Sequence, residues 1–162
     1  PSKGRLDKPG DYQAAIYLGV DSKLNLWVDA DISRRPVLEM VESFVVDSGK
    51  FRAQVGVVED TMFQEILVGE CEQEGIAQKI LTPFEGISNE GVNKIMRIRR
   101  LGPYINRGRM KFKRRSKGAA ILVQQLMDFS NGDHDDGPDS LEMAVRKASE
   151  LIADTLPVEN PY

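Results

Sequence analysis

From Tyr12 the chain carries two short runs rich in aromatic and β-branched residues, YQAAIYLGV to Val20 and NLWVDA from Asn25 to Ala30, separated by Asp21-Ser22-Lys23. Such runs around a polar turn predict an antiparallel hairpin. Residues 1–11 are polar, punctuated by Gly and Pro, and read as a loop. Arg35-Pro36 opens a first helix with Val37, Val41, Phe44 and Val45 at helical spacing, and Gly49 is expected at its C-terminal cap. Ala53–Val58 (AQVGVV) is apolar without clean alternation, which predicts a strand buried on both faces and ending at Glu59-Asp60. Thr61–Glu74 returns to helical spacing with Phe63, Ile66, Leu67 and Cys71 inward and Gly75 as its stop. Ile76–Leu81 is expected to be an edge strand halted by Thr82-Pro83. Asn89–Leu101 reads as a helix with Val92, Ile95, Met96 and Ile98 or Leu101 inward and its arginines outward, interrupted by Gly102-Pro103. Arg109–Lys113 alternates Met110 and Phe112 with cations, the pattern of a short strand or hairpin arm. Two further helices follow: Lys117–Phe129, burying Ala120, Leu122, Val123, Leu126 and Met127, and Ser140–Ala153, burying Leu141, Val145, Ala148 and Ile152. The tail 156–162 is expected to be loosely held. Strands and helices in this order predict an α/β fold, a mixed sheet flanked by helices.

Composition bounds the chemistry. With 162 residues and 41% hydrophobic content the chain can bury one core, so a single domain over 1–162 is expected. Cys71 is the only cysteine, which excludes an internal disulfide, and with one histidine it cannot complete a structural zinc site. A metal, if bound, must be held by carboxylates. No run of 18 apolar residues and no signal peptide occurs, so a soluble, cytoplasmic protein with no membrane contact is expected. A chain opening on Pro1 rather than Met reads as a fragment of a longer protein.

The net charge of −3 conceals a strong asymmetry. Lys94, Arg97, Arg99, Arg100, Arg107, Arg109, Lys111, Lys113, Arg114, Arg115 and Lys117 supply eleven of the 22 Lys and Arg, with no acid among them. A solvated basic face is one reading, and a surface for nucleic acid is the reading such density favours. Directly after it comes His134-Asp135-Asp136-Gly137-Pro138-Asp139, three acids opening a helix whose Pro138 suits the first turn. The helix N-terminus tolerates carboxylates, yet acids this close repel one another unless a cation sits among them. A hard divalent ion with oxygen ligands answers that need, and a solvated acidic cap is the alternative. An EF-hand loop does not fit: with Glu142 in the twelfth place the sixth, which must be glycine, is Asp136. Glu59 closes a predicted central strand, where open α/β sheets put their chemistry; otherwise it merely starts a loop. Cys71 reads as a packed thiol, since no base motif accompanies it.

GDYQAAIYLGVDSKLNLWVDA, VGVVEDTMFQEIL, NKIMRIRRLGPYINRGRMKF and HDDGPDSLEMA, in that order, resemble the C-terminal nuclease domain of phage terminase large subunits, the DNA-packaging motors of tailed bacteriophages. The resemblance covers nearly the whole chain and rests on four motifs in register. It implies an RNase H-like fold and a metal-dependent endonuclease that cuts concatemeric double-stranded DNA by two-metal hydrolysis, with Mg2+ or Mn2+ as cofactors. By the same resemblance Glu59, Asp135, Asp136 and Asp139 are catalytic metal ligands, and His134 supports them from behind. Lys94, Arg97, Arg100, Arg107, Arg109, Lys111, Lys113, Arg114, Arg115 and Lys117 would hold the DNA backbone. The implied partners are the terminase small subunit, the portal and the ATPase domain of the same protein, in the cytoplasm of the host bacterium.

One departure matters. The family's first catalytic aspartate stands directly before a Pro-Ser on a central strand, and this sequence begins at Pro1-Ser2. That first strand and its aspartate are therefore expected to be missing, leaving an open edge beside Ala53–Val58 and a fragment with little or no activity. The ATPase half is also absent, for no G-x-x-x-x-G-K-[ST] occurs. Two other readings stay open: a non-catalytic DNA-binding or motor-assembly module, and another RNase H-like enzyme such as a junction resolvase or transposase.

Overall fold

The computed structural model describes residues 13–59, 64–89, 91–129 and 135–155. The expected hairpin is present: β1 (Gln13–Val20) and β2 (Leu26–Ser33) run antiparallel, Gln13 opposite Ser33 and Val20 opposite Leu26. Asp21 organises the turn, because its carboxylate accepts hydrogen bonds from Asn25 Nδ2, the Asn25 and Lys23 amides and Trp27 Nε1. Those donors hold its pKa well below the usual carboxylate range. On the other edge of β2 lies β5 (Met110–Phe112), parallel to it, so the first sheet has the order β1-β2-β5.

A second, two-stranded parallel sheet pairs β3 (Gly56–Glu59) with β4 (Phe84–Ile87), setting Glu59 beside Ile87. Six helices complete the described residues: α1 (Val37–Phe51), α2 (Gln64–Gln78), α3 (Lys94–Arg99), α4 (Gly102–Asn106), α5 (Lys117–Asp128) and α6 (Asp136–Thr155). The α/β class with helices against a mixed sheet thus holds. One apolar core forms around Val28, Leu101, Leu122 and Leu141, under the first sheet with α5 and α6. The other joins Val41, Val45, Cys71 and Phe84, between α1, α2 and the second sheet.

Several boundaries differ from the sequence expectation, each for a packing reason. Gly49 does not cap α1; the helix runs on to Phe51 and closes with Arg52 at φ 51°. Gly75 likewise lies inside α2, which ends at Gln78 with Lys79 at φ 58°. Both glycines serve close approach instead, since a Cβ at Gly49 would press on the Ile80 side chain and one at Gly75 on the Ile80 carbonyl. Ile76–Leu81 is consequently not a strand: Ile76 and Leu81 are exposed, and the strand begins after Pro83. Ile66, Ile95, Met96 and Met127 are exposed rather than inward, and Ala119 rather than Ala120 is buried. Phe63 and the tail 156–162 lie outside the described residues.

Among the described residues the two sheets do not join: β1 pairs only with β2 and β3 only with β4, so one edge of each is unpaired. Between them runs a trough of about 1900 Å³ lined by all of β1 and β3, with Val41 and Phe44 of α1 on one side and Met143 and Ala148 of α6 on the other. Among the described residues the free edge of β3 faces this trough, and Val57 and Val58 are only half-buried in a strand shorter than the sequence suggested.

Candidate active site

The C-terminal ends of β3 and β4, the start of α3 and the start of α6 meet at one end of the trough, where Glu59, Lys94, Arg97, Asp136 and Asp139 all contribute to its lining. Local sequence explains why each arrives there. Asn93 caps α3 by accepting from the Ile95 amide, which orients Lys94 and Arg97 in its first turns. The entry to α6 is pinned to α5, because the Gly137 amide donates to Gln125 Oε1 at 3.1 Å. A Cβ at Gly137 would collide with that same side chain and with Ile32, so the acidic turn sits tight against the hairpin sheet.

The three acids do have a cation among them, and it is Lys94. Its Nζ donates to Asp135 Oδ1 at 2.6 Å and lies 3.7 Å from Asp139 and 3.9 Å from Asp136. Burial alone would lower the ammonium's pKa, but the hydrogen bond to Asp135 and the charges of Asp135, Asp139 and Asp136 outweigh it and hold the pKa above the ordinary lysine value. Asp139 is the deepest of the three, 7% exposed; Arg97 Nη2 donates to its Oδ2 at 3.3 Å, and Arg97 Nη1 lies 2.6 Å from its Oδ1 as an ion pair. Glu142, one turn on and 3% exposed, lies 3.6–3.8 Å from the guanidinium groups of Arg97, Arg100 and Arg146.

Glu59 joins this cluster through Asn89. Asn89 Nδ2 donates to Glu59 Oε1 at 2.7 Å, and Asn89 Oδ1 accepts from Arg97 Nη1 at 2.7 Å. A continuous polar chain, Glu59–Asn89–Arg97–Asp139, therefore links the two acids that stand furthest apart in sequence. Asn89, Glu142 and Arg146 escaped the sequence reading because an isolated Asn or Glu in a helical pattern gives no signal of its own. Only Glu142, three residues after Asp139 and so on the same helix face, offered a clue.

The basic stretch divides. Arg97 is 5% exposed and turned into the ion network, so its charge is not offered to solvent, contrary to the outward arginine expected; Lys94 is engaged by Asp135. Arg100, Arg107, Arg109, Lys111, Arg114, Arg115 and Lys117 are exposed. Lys113 is exposed too, while its Nζ pairs with Asp29, itself held by Ser116. His134 and Asp60 lie outside the described residues.

As the side chains stand, no three His, Cys, Asp or Glu among the described residues converge on a metal-sized space. The centre of the acidic turn belongs to the Lys94 ammonium, a stand-in for a cation among hard oxygen donors. The donor set suits a hard divalent ion in kind, and such an ion would have to take the place of Nζ. No protein-family model matches the chain, and a search of curated proteins gives no match. No helix among the described residues is long and apolar enough to cross a membrane.

Proposed function

We propose that the chain is a metal-dependent DNA endonuclease domain of the terminase type, RNase H-like in fold, acting on double-stranded DNA. One observation carries the reading: Glu59 at the end of β3 and Asp136 and Asp139 at the start of α6 line the same end of one trough, from positions about eighty residues apart in sequence. The succession β5-β2-β1, trough, β3-β4 adds support, because a strand in the trough would join the two sheets into one mixed sheet with those acids at its edge.

Glu59, Asp135 and Asp136 would hold the divalent ions, and Asp139, locked by Arg97, would fix the turn that presents them. The bound ions would activate a water and stabilise the leaving oxygen of the phosphodiester. Lys94 neutralises the acids until an ion arrives. Arg107, Arg109, Lys111, Arg114 and Arg115 would hold phosphates without reading bases, as suits cutting with little sequence preference. The small subunit, the portal and an ATPase domain are partners on the same reading. The second reading, a non-catalytic DNA-binding module, draws on Lys94, which closes the acidic cluster with the protein's own charge.

Two measurements separate these. Mn2+ titration of the 162-residue chain, against Glu59→Ala and Asp136→Ala, tests the carboxylates; Mn2+ binding that either substitution weakens is expected. Nicking of supercoiled plasmid with Mn2+ tests the chemistry, with Glu59→Ala expected to be inactive. Ion binding indifferent to both substitutions, or nicking that survives Glu59→Ala, refutes the proposal. DNA binding without any metal-dependent cutting supports the second reading.

A further inference from the structure

We propose that Asn89 and Arg97 form a positioning strut that fixes Glu59 relative to Asp139; the functional part of this rests on the nuclease reading above. The chemistry of the four groups leaves the strut only one arrangement. A carboxylate only accepts and a guanidinium only donates, so the amide between them must turn its NH2 to Glu59 and its oxygen to Arg97, as it does at 2.7 Å on each side. Arg97 cannot rotate to other partners. Its Nε donates to the Val92 carbonyl at 3.3 Å, its Nη2 donates to Asp139 Oδ2 at 3.3 Å, its Nη1 pairs with the Asp139 carboxylate at 2.6 Å, and the residue is buried.

The strut also ties the second sheet to the start of α6, alongside the Lys147–Glu85 ion pair and the Arg146 Nη1 hydrogen bond to the Ser88 carbonyl. β3 and β4 belong to one sheet and the entry to α6 packs on the other, with the trough between them. Asn89 lies two residues beyond Ile87, the register partner of Glu59, so the C-terminal ends of both parallel strands feed into it. A one-ångström displacement of a reacting group can cost on the order of 100-fold in rate, which makes a rigid link between the two halves of such a site consequential.

Three variants of the full chain test this. Asn89→Asp keeps shape and the acceptor for Arg97 but sets a second acceptor against Glu59. Asn89→Ala removes both contacts, and Arg97→Lys keeps the charge without the fork. The readouts are thermal melting, Mn2+ affinity by calorimetry and the Asn89 side-chain amide resonance in a 1H–15N spectrum. The expected result is an amide resonance that moves with Glu59→Ala, Mn2+ affinity about 10–100-fold weaker in Asn89→Ala than in the unaltered chain, and a lower melting temperature in Asn89→Asp than in Asn89→Ala, because it faces Glu59 with a second carboxylate. Asn89 is only half-buried, so its variants remain informative if Arg97→Lys fails to fold. An amide resonance indifferent to Glu59→Ala overturns the strut. So does Mn2+ binding that Glu59→Ala weakens while Asn89→Ala leaves it within twofold. Absence of Mn2+ binding by the unaltered chain overturns the nuclease reading and with it the strut's functional role.

Discussion

Lys94 is the most informative single residue to remove. Replacing it with Met keeps the aliphatic stem, so the substitution deletes one positive charge facing Asp135, Asp136 and Asp139 at 2.6, 3.9 and 3.7 Å. At a water-like dielectric each such contact is worth on the order of 1 kcal/mol. Lys94 is 36% exposed and Asp135 and Asp136 are 41% exposed, so solvent screens the group and measured pairs of this kind return only about 0.2–1 kcal/mol each. The net loss is therefore expected at about 1–2 kcal/mol, which for a domain of this size lowers the melting temperature by roughly 3–6 °C. The loss should shrink between low and high salt, because half-exposed charges are screened within about 10 Å at 0.1 M. Its pH dependence has a fixed sign. With a folded pKa above the ordinary 10.5, Lys94 contributes its full stabilisation below that value and loses it as pH rises through the folded pKa. The deficit of Lys94→Met should thus be flat from neutral pH to about 9 and fade only in strong alkali. Mn2+ should bind the variant more tightly than the unaltered chain, since ion and ammonium compete for the same oxygens. Melting curves at two salt concentrations, with and without Mn2+, check all of this. An unchanged melting temperature at low salt, or weaker Mn2+ binding in the variant, would refute the reasoning.

Duplex DNA binding is expected to be steep in salt and largely sequence-independent, each phosphate contact adding about −0.9 to the slope of log K against log salt; Arg114→Ala with Arg115→Ala should flatten the slope by nearly two units, and an unchanged slope sinks the assignment. Cys71 is 2% exposed, and burial first, then Glu70 and Glu72, pushes its thiol up to about 11. Ellman's reagent at neutral pH should therefore label it only after denaturant is added; rapid labelling of the folded chain would contradict its packing. Gly118→Ala should destabilise the fold by about 3 kcal/mol or more, because a Cβ there would run into the Ala30 backbone where α5 rests on β2. A denaturant midpoint within error of the unaltered chain would show that α5 can shift.

Local pattern determined a good deal of this protein by itself. The hairpin, the short strand around Met110 and Phe112, the helices expected over Lys117–Phe129 and Ser140–Ala153 and found over Lys117–Asp128 and Asp136–Thr155, and the buried Cys71 were all legible, because apolar spacing and turn chemistry act over a few residues. So was the crowding of acids at Asp135–Asp139 and the need for a positive charge among them. What sequence could not specify was the source of that charge, since Lys94 is brought from 41 residues away by the docking of α3 against α6. Helix ends were misjudged at Gly49 and Gly75, where glycine is required by close packing on Ile80 while Arg52 and Lys79 take the left-handed turn. The inward face of α3 was misjudged for a related reason. Apolar spacing favoured Ile95 and Met96, yet the buried partner of Asp139 is Arg97, because a carboxylate deep in the fold demands a paired guanidinium more than it demands another methyl. The division into two sheets with a trough between their open edges likewise belongs to tertiary structure, for strand pairing depends on which backbone edges meet in space and leaves no mark in the pattern of any one strand.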